Sequence, residues 1–305
     1  MAEAERAMSQ HLRTDNSVRP HEVAQLLARV SSSTRSPLSE ASLLALKADP
    51  PRADTVSVGV RNEDSLVGYG IALPQPSGPF VAELSVVAGA ARSHVTDMVL
   101  AELQARTGND IEIWAHGRDS GLATHLQDRG WSAARDLRLL GRDTSGRPLD
   151  STLPAGYHIR PFRPGLDEAA FLEANRLAFE ALPDQGGWRA SDLSDRLAQP
   201  WFDPEGFLLL IADDASVAGF HWTKTHPADA VVDEPHGEVY VMGLLPRHQG
   251  RGLASPLLSA GIDHLRSLGM TLVILYVDAA NRAAMATYTR AGFVERDRSL
   301  LMRTT

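Results

Sequence analysis

The chain has 305 residues, with 30 Lys+Arg against 38 Asp+Glu, a formal net charge of −8 and no cysteine. An acidic balance excludes a general nucleic-acid binder, which needs a basic face. The absence of cysteine excludes disulfides, thiolate metal sites and a cysteine nucleophile. A hydrophobic content of 43% is enough for a sizeable core, and at about 100–200 residues per domain the length fits two domains. There is no run of about 18 apolar residues to span a membrane. Met1 to Gln10 carry Glu3 and Glu5 and no apolar stretch, so the expectation is a cytoplasmic protein without a membrane partner.

In chain order, two stretches follow one script. Ser65–Ile71 and Phe80–Val87 predict strands, residues 93–105 a helix, Asp110–Ala115 a strand, and a short helix leads to Arg129-Gly130-Trp131. A polar Gly/Pro segment, 141–148, carries turn chemistry. Beyond it, Ser216–Trp222 and Gly237–Leu244 predict strands and Gly252–Leu268 a helix. Thr271–Val277 predicts a strand, followed by a helix through Tyr288 and then Ala291-Gly292-Phe293. Strands alternating with helices predict an α/β (α+β layered) fold. The repetition predicts two related domains, residues 1–143 and 152–305.

The sharpest local feature is Leu245-Pro246-Arg247-His248-Gln249-Gly250-Arg251-Gly252-Leu253-Ala254. It follows an apolar strand and opens a helix in which Leu253, Leu257, Leu258, Ile262 and Leu265 recur at helical spacing. Gly250 and Gly252 allow backbone N–H groups to approach a ligand with no Cβ in the way. A helix N-terminus adds unpaired donors and a partial positive charge. The segment reads as a pyrophosphate cradle, and the plainer alternative is a strand-to-helix turn. Its spacing is neither the dinucleotide G-x-G-x-x-G nor the P-loop.

Arg247-x-x-Gly250-x-Gly252 resembles the acyl-CoA motif of the GCN5-related N-acetyltransferases. Asn281-x-x-Ala284-x-x-x-Tyr288-x-x-x-Gly292-Phe293 resembles the segment that closes the site of that fold. Within this superfamily the chain is similar to the mycothiol synthases. The likeness is carried by Ala178-Phe179-Glu180, Asp184–Trp188, Trp201-Phe202-Asp203-Pro204, Gly219–Lys224, Gly237–Val241, Leu275-Tyr276-Val277 and, in the first half, Trp114-Ala115-His116-Gly117. The resemblance implies two tandem domains, each a mixed central sheet flanked by helices, the first catalytically silent and the second active. It also implies a monomer that uses acetyl-CoA as co-substrate and needs no metal. The implied reaction acetylates the cysteine amine of cysteinyl-glucosaminyl-inositol, the last step of making the thiol mycothiol.

By the same resemblance, Met242, Gly243 and Leu244 offer main chain to the acetyl group and the pantetheine arm, while Leu244 also reads as core. Gln249, Gly250, Arg251, Gly252, Leu253, Ala254 and Ser255 hold the pyrophosphate. Asn281, Arg282, Ala283, Ala284, Met285 and Ala286 line the other side of the arm. Leu84, Ser85 and Val86 mark a candidate cofactor position in the first domain. Tyr288 is the candidate acid for the departing thiolate, because an ordinary tyrosine, with a pKa of about 10, is protonated at neutral pH; packing on an amphipathic helix is the alternative. Glu238 is the candidate to hold the ammonium and take its proton through a water, against the alternative of a solvent-facing Glu at a strand start.

The resemblance assigns Glu40, Glu180, Lys224 and Tyr276 to substrate contacts, although Glu40 reads as readily as an exposed residue at a helix start. His221 and His226 flank this group and read as structural. In the first half, Ala91–Val95 read as the counterpart of Gln249–Leu253 without its glycines. The neighbourhood of Asp119 stands for Asn281 there, and that of Leu126 for Tyr288. With no cysteine, acetyl passes directly from CoA to the amine. The alternatives are an acetyltransferase for another small amine and a non-catalytic CoA-binding scaffold. A metal or nucleotide hydrolase finds no H-E-x-x-H and no Walker lysine to support it.

Overall fold

The computed structural model describes residues 11–30, 38–48, 54–75, 78–89, 91–108, 110–117, 121–180, 186–228, 232 and 234–304, with only the backbone of Glu40. The chain divides into two compact units, and the division is not a single cut. One unit comprises the chain up to Arg138, Asp278–Ala280, and the residues from Asp297 onward. The other comprises Leu139–Val277 and Asn281–Arg296.

In the first unit, β1 (Leu12–Asp15), β2 (Val56–Asn62), β3 (Ser65–Leu73), β4 (Phe80–Val86) and β5 (Ile111–His116) lie side by side in chain order. The far end of β12 (Val294–Thr304) adds to β5. β4 and β5 are parallel, from Phe80 opposite Ile111 to Glu83 opposite Trp114, and the other pairs are antiparallel. The helices are α1 (Pro20–Val30), α2 (Glu40–Lys47), α3 (Arg92–Thr107) and α4 (Leu122–Gln127). Val95, Val99, Leu100 and Leu103 of α3 bury against Val58, Val60, Ile111 and Ile113. Val23 and Leu26 of α1 and Leu38 pack with Tyr69 and Ile71. Successive strand residues point to opposite faces, so one sheet feeds both cores.

The last strand corrects the expected domain boundary. Ser299–Arg303 pair with His116–Glu112, and Leu300 and Met302 are buried in the core of the first unit. The Ser299 hydroxyl meets His116 Nδ1 at 3.1 Å. Conversely, the end of β6 (Trp131–Asp143), expected in the first domain, belongs to the second unit from Leu139 on. Leu139 packs there with Leu272 and Ile274. Alternation announces a strand, but pairing is non-local, so the residues of β12 do not reveal which sheet receives them.

In the second unit, β7 (Tyr157–Pro161), β8 (Phe207–Ala212), β9 (Val217–His226), β10 (His236–Leu244) and β11 (Leu272–Asp278) run in the order β11-β10-β9-β8-β7. Only β10 and β11 among these are parallel. α5 (Glu168–Ala178) and α6 (Ala190–Leu197) cover an aromatic core of Phe162, Phe171, Phe207, Phe220 and Trp222. α7 (Ala254–Ser267) buries Leu257, Leu258, Ile262 and Leu265 as its periodicity predicts, and α8 (Arg282–Arg290) follows β11. No helix among the described residues is long and apolar enough to cross a membrane.

Candidate active site

The site begins where β10 leaves its neighbours. β10 pairs with β11 only at Gly237–Val273 and Glu238–Ile274. On its other side it slips against β9 between Val239 and Val241, which leaves Tyr240 as the extra residue of a bulge. From Val239 on, the β11 side of β10 has no strand partner among the described residues, and Met242, Gly243 and Leu244 lie in this stretch. The bulge and the divergence occur together, so this stretch is bonded to β9 alone among the described strands.

The chain then enters the glycine turn. Gly250 has φ +73° and Gly252 φ +76°, a left-handed backbone that costs an L-residue about 1–2 kcal/mol. A Cβ at either position would meet nothing within 4 Å, so open space borders the turn. Leu253, the N-cap of α7, supplies no side-chain cap. The N–H groups of Gly250, Arg251, Gly252, Leu253, Ala254 and Ser255 donate to no group among the described residues. A run of free donors at a helix N-terminus fits a pyrophosphate. The side chains nearby are held elsewhere. Gln249 Nε2 donates to the Leu244 carbonyl at 3.0 Å, the Ser255 hydroxyl to the Asp150 carbonyl at 3.0 Å, and Arg251 to the Tyr157 hydroxyl at 3.3 Å. Burial, and then the charges of Arg247 and Arg251, hold His248 below the ordinary histidine pKa.

α8 supplies the opposite wall. The Asn281 side chain accepts from Ala284 N at 3.1 Å and so caps the helix. This commits its oxygen to the protein. Ala284, Met285 and Tyr288 pack on the same core as Met242, Val273, Leu275 and Phe293. The Tyr288 ring lies edge-on to Phe293 at 5.7 Å. Its hydroxyl has no partner among the described residues, and burial pushes its pKa up to about 12.

The acid side is built on β9 and β10. Glu238 is 8% exposed, and its Oε2 lies 2.6 Å from His226 Nε2, while Oε1 accepts nothing among the described residues. Lys224 stands opposite Glu238 in the ladder. Its ammonium sits 4.6 Å from the Trp201 ring centre and 5.1 Å from that of Tyr240. Arg196 Nε donates to the Tyr240 hydroxyl at 2.9 Å, and its guanidinium lies over Trp188. Tyr276 packs instead with Val232, Leu139 and Ile274. Glu180 is exposed just beyond α5, and no described contact brings it to Glu238 or Lys224. The Glu40 side chain lies outside the described residues.

Sequence reasoning missed His226, Tyr240 and Arg196 as parts of this array. His226 left one legible trace: two residues after Lys224 on a strand, it shares that residue's face. The bulge at Tyr240 had no trace, because it follows from the mismatch of two distant segments.

The first unit carries a reduced version of these parts. Val87–Ala91 connect β4 to α3, a shorter turn than Leu245–Leu253. Arg92, Ser93 and His94 already lie in the first turn of α3, so the expected correspondence of Ala91–Val95 with the cradle is corrected. Aligning the helix starts places Ala91 at Leu253. Leu126 is fully buried, and Asp119 lies outside the described residues. Leu84, Ser85 and Val86 line a cavity of about 260 Å³ together with Arg92, Thr96 and His116. The Ser85 hydroxyl there is buried without a partner. Burial alone would raise the Glu83 pKa, but hydrogen bonds from His116, Ser42 and the Ser39 N–H outweigh it and hold the carboxyl below its ordinary range. Among the described residues, no group of three or more His, Asp or Glu side chains is placed to hold a metal ion.

Residues 171–293 match the acetyltransferase (GNAT) family. The fold is that of a GCN5-related N-acetyltransferase from Sphaerobacter thermophilus, with TM-score 0.71 and 22% identity over 96% of this chain and 95% of the other. It is equally that of a tandem GNAT protein from the clavulanic acid biosynthesis pathway, with TM-score 0.71 and 17% identity over 95% and 97%. The chain is a tandem GNAT acyltransferase. It is 41% identical to a mycothiol acetyltransferase of Kocuria rhizophila, over 84% of this chain and 86% of that protein. It is 39% identical to one of Geodermatophilus obscurus, over 90% and 91%. The chain belongs to the mycothiol acetyltransferase family.

Proposed function

We propose that this chain transfers acetyl from acetyl-CoA to the cysteine amine of cysteinyl-glucosaminyl-inositol. The observation that carries the reading is the continuous stretch from the edge of β10 to the N–H groups of Gly250–Ser255, both without a partner among the described residues. It offers main-chain donors to an acyl arm and to its pyrophosphate in sequence. Acetyl-CoA supplies the activated acetyl group. Backbone at Met242, Gly243 and Leu244 polarises the carbonyl, and Arg282–Ala286 flank the arm. Glu238 takes a proton from the ammonium, Lys224 contacts the polar acceptor, and Tyr276, which packs beside Ile274, is assigned to the acceptor on the resemblance alone. Tyr288, with its proton held firmly, gives it to the leaving thiolate. Glu40 and Glu180 are assigned to the acceptor on the resemblance alone. Mass spectrometry of small thiols from cells with and without this gene tests the reading. Accumulation of the unacetylated cysteinyl pseudodisaccharide on deletion supports it, and an unchanged thiol pool overturns it in favour of another amine.

The first unit acts as a scaffold in this proposal. Its shortened turn, the buried Leu126 and the fully bonded Glu83 support that role. Calorimetry on the full chain checks it: one equivalent of acetyl-CoA is expected, and a second, which would enter the cavity at Leu84, Ser85 and Val86, would refute it.

A further inference from the structure

Each unit places a glutamate at the last parallel pair before its central strands part. In the first unit this is Glu83, opposite Trp114. In the second it is Glu238, opposite Ile274. Each carboxylate is bonded to a histidine, Glu83 to His116 Nε2 at 2.7 Å and Glu238 to His226 Nε2 at 2.6 Å. The two carboxylates differ in their other oxygen. In the first unit, Ser39 N donates to the remaining oxygen at 2.7 Å, so both oxygens of Glu83 are consumed. His116 is itself tied at Nδ1 to Ser299. In the second unit, Oε1 of Glu238 stays uncommitted among the described residues, and the His226 side chain is 21% exposed.

We propose that His226 is a positioning residue for acetyl transfer: it donates Nε2–H to one oxygen of Glu238 and thereby presents the other to the acceptor's ammonium. The inference rests on the reading of Glu238 as the group that takes the amine's proton. In that step an N–H bond of the ammonium breaks and an O–H bond forms on Oε1, directly or through one water. The freed amine lone pair forms the C–N bond as the C–S bond breaks, Tyr288 protonates the sulfur, and the second proton shed by the newly acylated nitrogen restores the tyrosinate, so that one proton in all is left on Glu238. A neutral-capable donor suits this task. A lysine or arginine at the same distance would hold the carboxylate ionised and make it a poorer base.

The surroundings of His226 support a shaped proton-handling group. His236, its partner in the β9–β10 ladder, stacks on it with ring centres 4.9 Å apart. His236 Nδ1–H donates to the Glu234 carbonyl at 3.0 Å, which fixes that ring. The charged and titratable groups facing His226 among the described residues are thus Glu238 and His236 from β10. Lys224 lies on its own strand, with its ammonium drawn aside over Trp201 and Tyr240.

The test is the dependence of kcat/KM for the cysteinyl acceptor on pH, from about pH 5 to 9, in the full chain and in His226→Ala, His226→Gln and Glu238→Gln. Calorimetric binding of acetyl-CoA serves as the check on folding. His226→Ala should lower kcat/KM by about tenfold or more and move the acid limb of the profile, with acetyl-CoA binding unchanged. His226→Gln keeps an N–H donor at similar reach. It should recover most of the plateau rate but not the position of the acid limb. If the acid limb stays in place in both His226 variants, the inference is overturned, whatever the plateau does. If Glu238→Gln keeps full activity, the reading of Glu238 fails first. A collapse of Glu238→Gln beside normal His226 variants overturns the His226 proposal alone.

Discussion

Gly252→Ala tests the cradle most directly. At φ +76°, with nothing within 4 Å of the added Cβ, the substitution causes no clash, and its whole cost is backbone conformation. That cost is about 1–2 kcal/mol, and it has two outlets. If the turn keeps its shape, the strain appears as lost stability and acetyl-CoA still binds. If the turn relaxes, stability is kept, but the N–H groups of residues 250–255 leave their places. The Kd then rises by about 5–30-fold, the equivalent of the same energy. Urea unfolding and calorimetric titration with acetyl-CoA, run on one preparation, measure both outlets. Gly269→Ala is the control, since it carries the same strain at φ +83° beyond the far end of α7. It should cost stability and leave Kd alone. If Gly252→Ala changes neither quantity, or if Gly269→Ala weakens acetyl-CoA as much, the cradle reasoning is wrong.

Tyr288→Phe should lower kcat by about 10²-fold or more while acetyl-CoA binds as before; an unchanged kcat removes Tyr288 from the chemistry. Because burial pushes its pKa up to about 12, the tyrosine stays protonated through the alkaline assay range, so no loss of rate with an apparent pKa near 10 is expected, and such a loss would contradict the assignment. His221 is fully buried with its pKa lowered to about 4, chiefly by desolvation. The unfolded chain therefore binds a proton that the folded one refuses. The stability tied to His221 is complete above the ordinary value of about 6.5 and drains away as pH falls toward 4, by about 3 kcal/mol. Unfolding curves of wild type and His221→Gln between those pH values should show the larger acid loss in wild type, and parallel losses would refute it. Met302→Ala removes a buried side chain from the core of the first unit and should cost about 2–5 kcal/mol. Hydrogen exchange should show protection falling in β5 and not in β8, and loss confined to β8 would contradict the strand assignment.

Much of the second unit is legible in the sequence because its signals are local. Leu257, Leu258, Ile262 and Leu265 mark the buried stripe of α7 at its own period. Gly250 and Gly252 stand where an αL backbone is required, and Asn281 stands where α8 needs a cap. α1, α5 and α6 escape a reading of the sequence, and of α2 only the start at Glu40 is legible, because short helices draw their stability from the sheets they cover. The sequence starts α3 within a residue of its place, but it sets the counterpart of the glycine turn about one helical turn too late, since without the glycines nothing marks how short the turn before Arg92 is. His226 reads as a lone histidine, because its partner Glu238 lies on another strand and only the ladder register brings the two together.

The sequence by itself determined the chemistry on offer: a glycine turn opening a helix, a tyrosine and a glutamate at matching places, and no thiol to carry an acyl group. Periodicity and backbone conformation are properties of a few consecutive residues, so they can be read from one segment. Tertiary structure alone decided three things. It gave the last strand to the first unit, although that strand follows directly on the second half. It parted β10 from β11 just beyond Glu238 and placed Tyr240 in a bulge. Among the described residues it left Glu238 one open oxygen where Glu83 has none. Each depends on which strand pairs with which and in what register, and that choice is made by the summed burial of the paired strands rather than by any one segment.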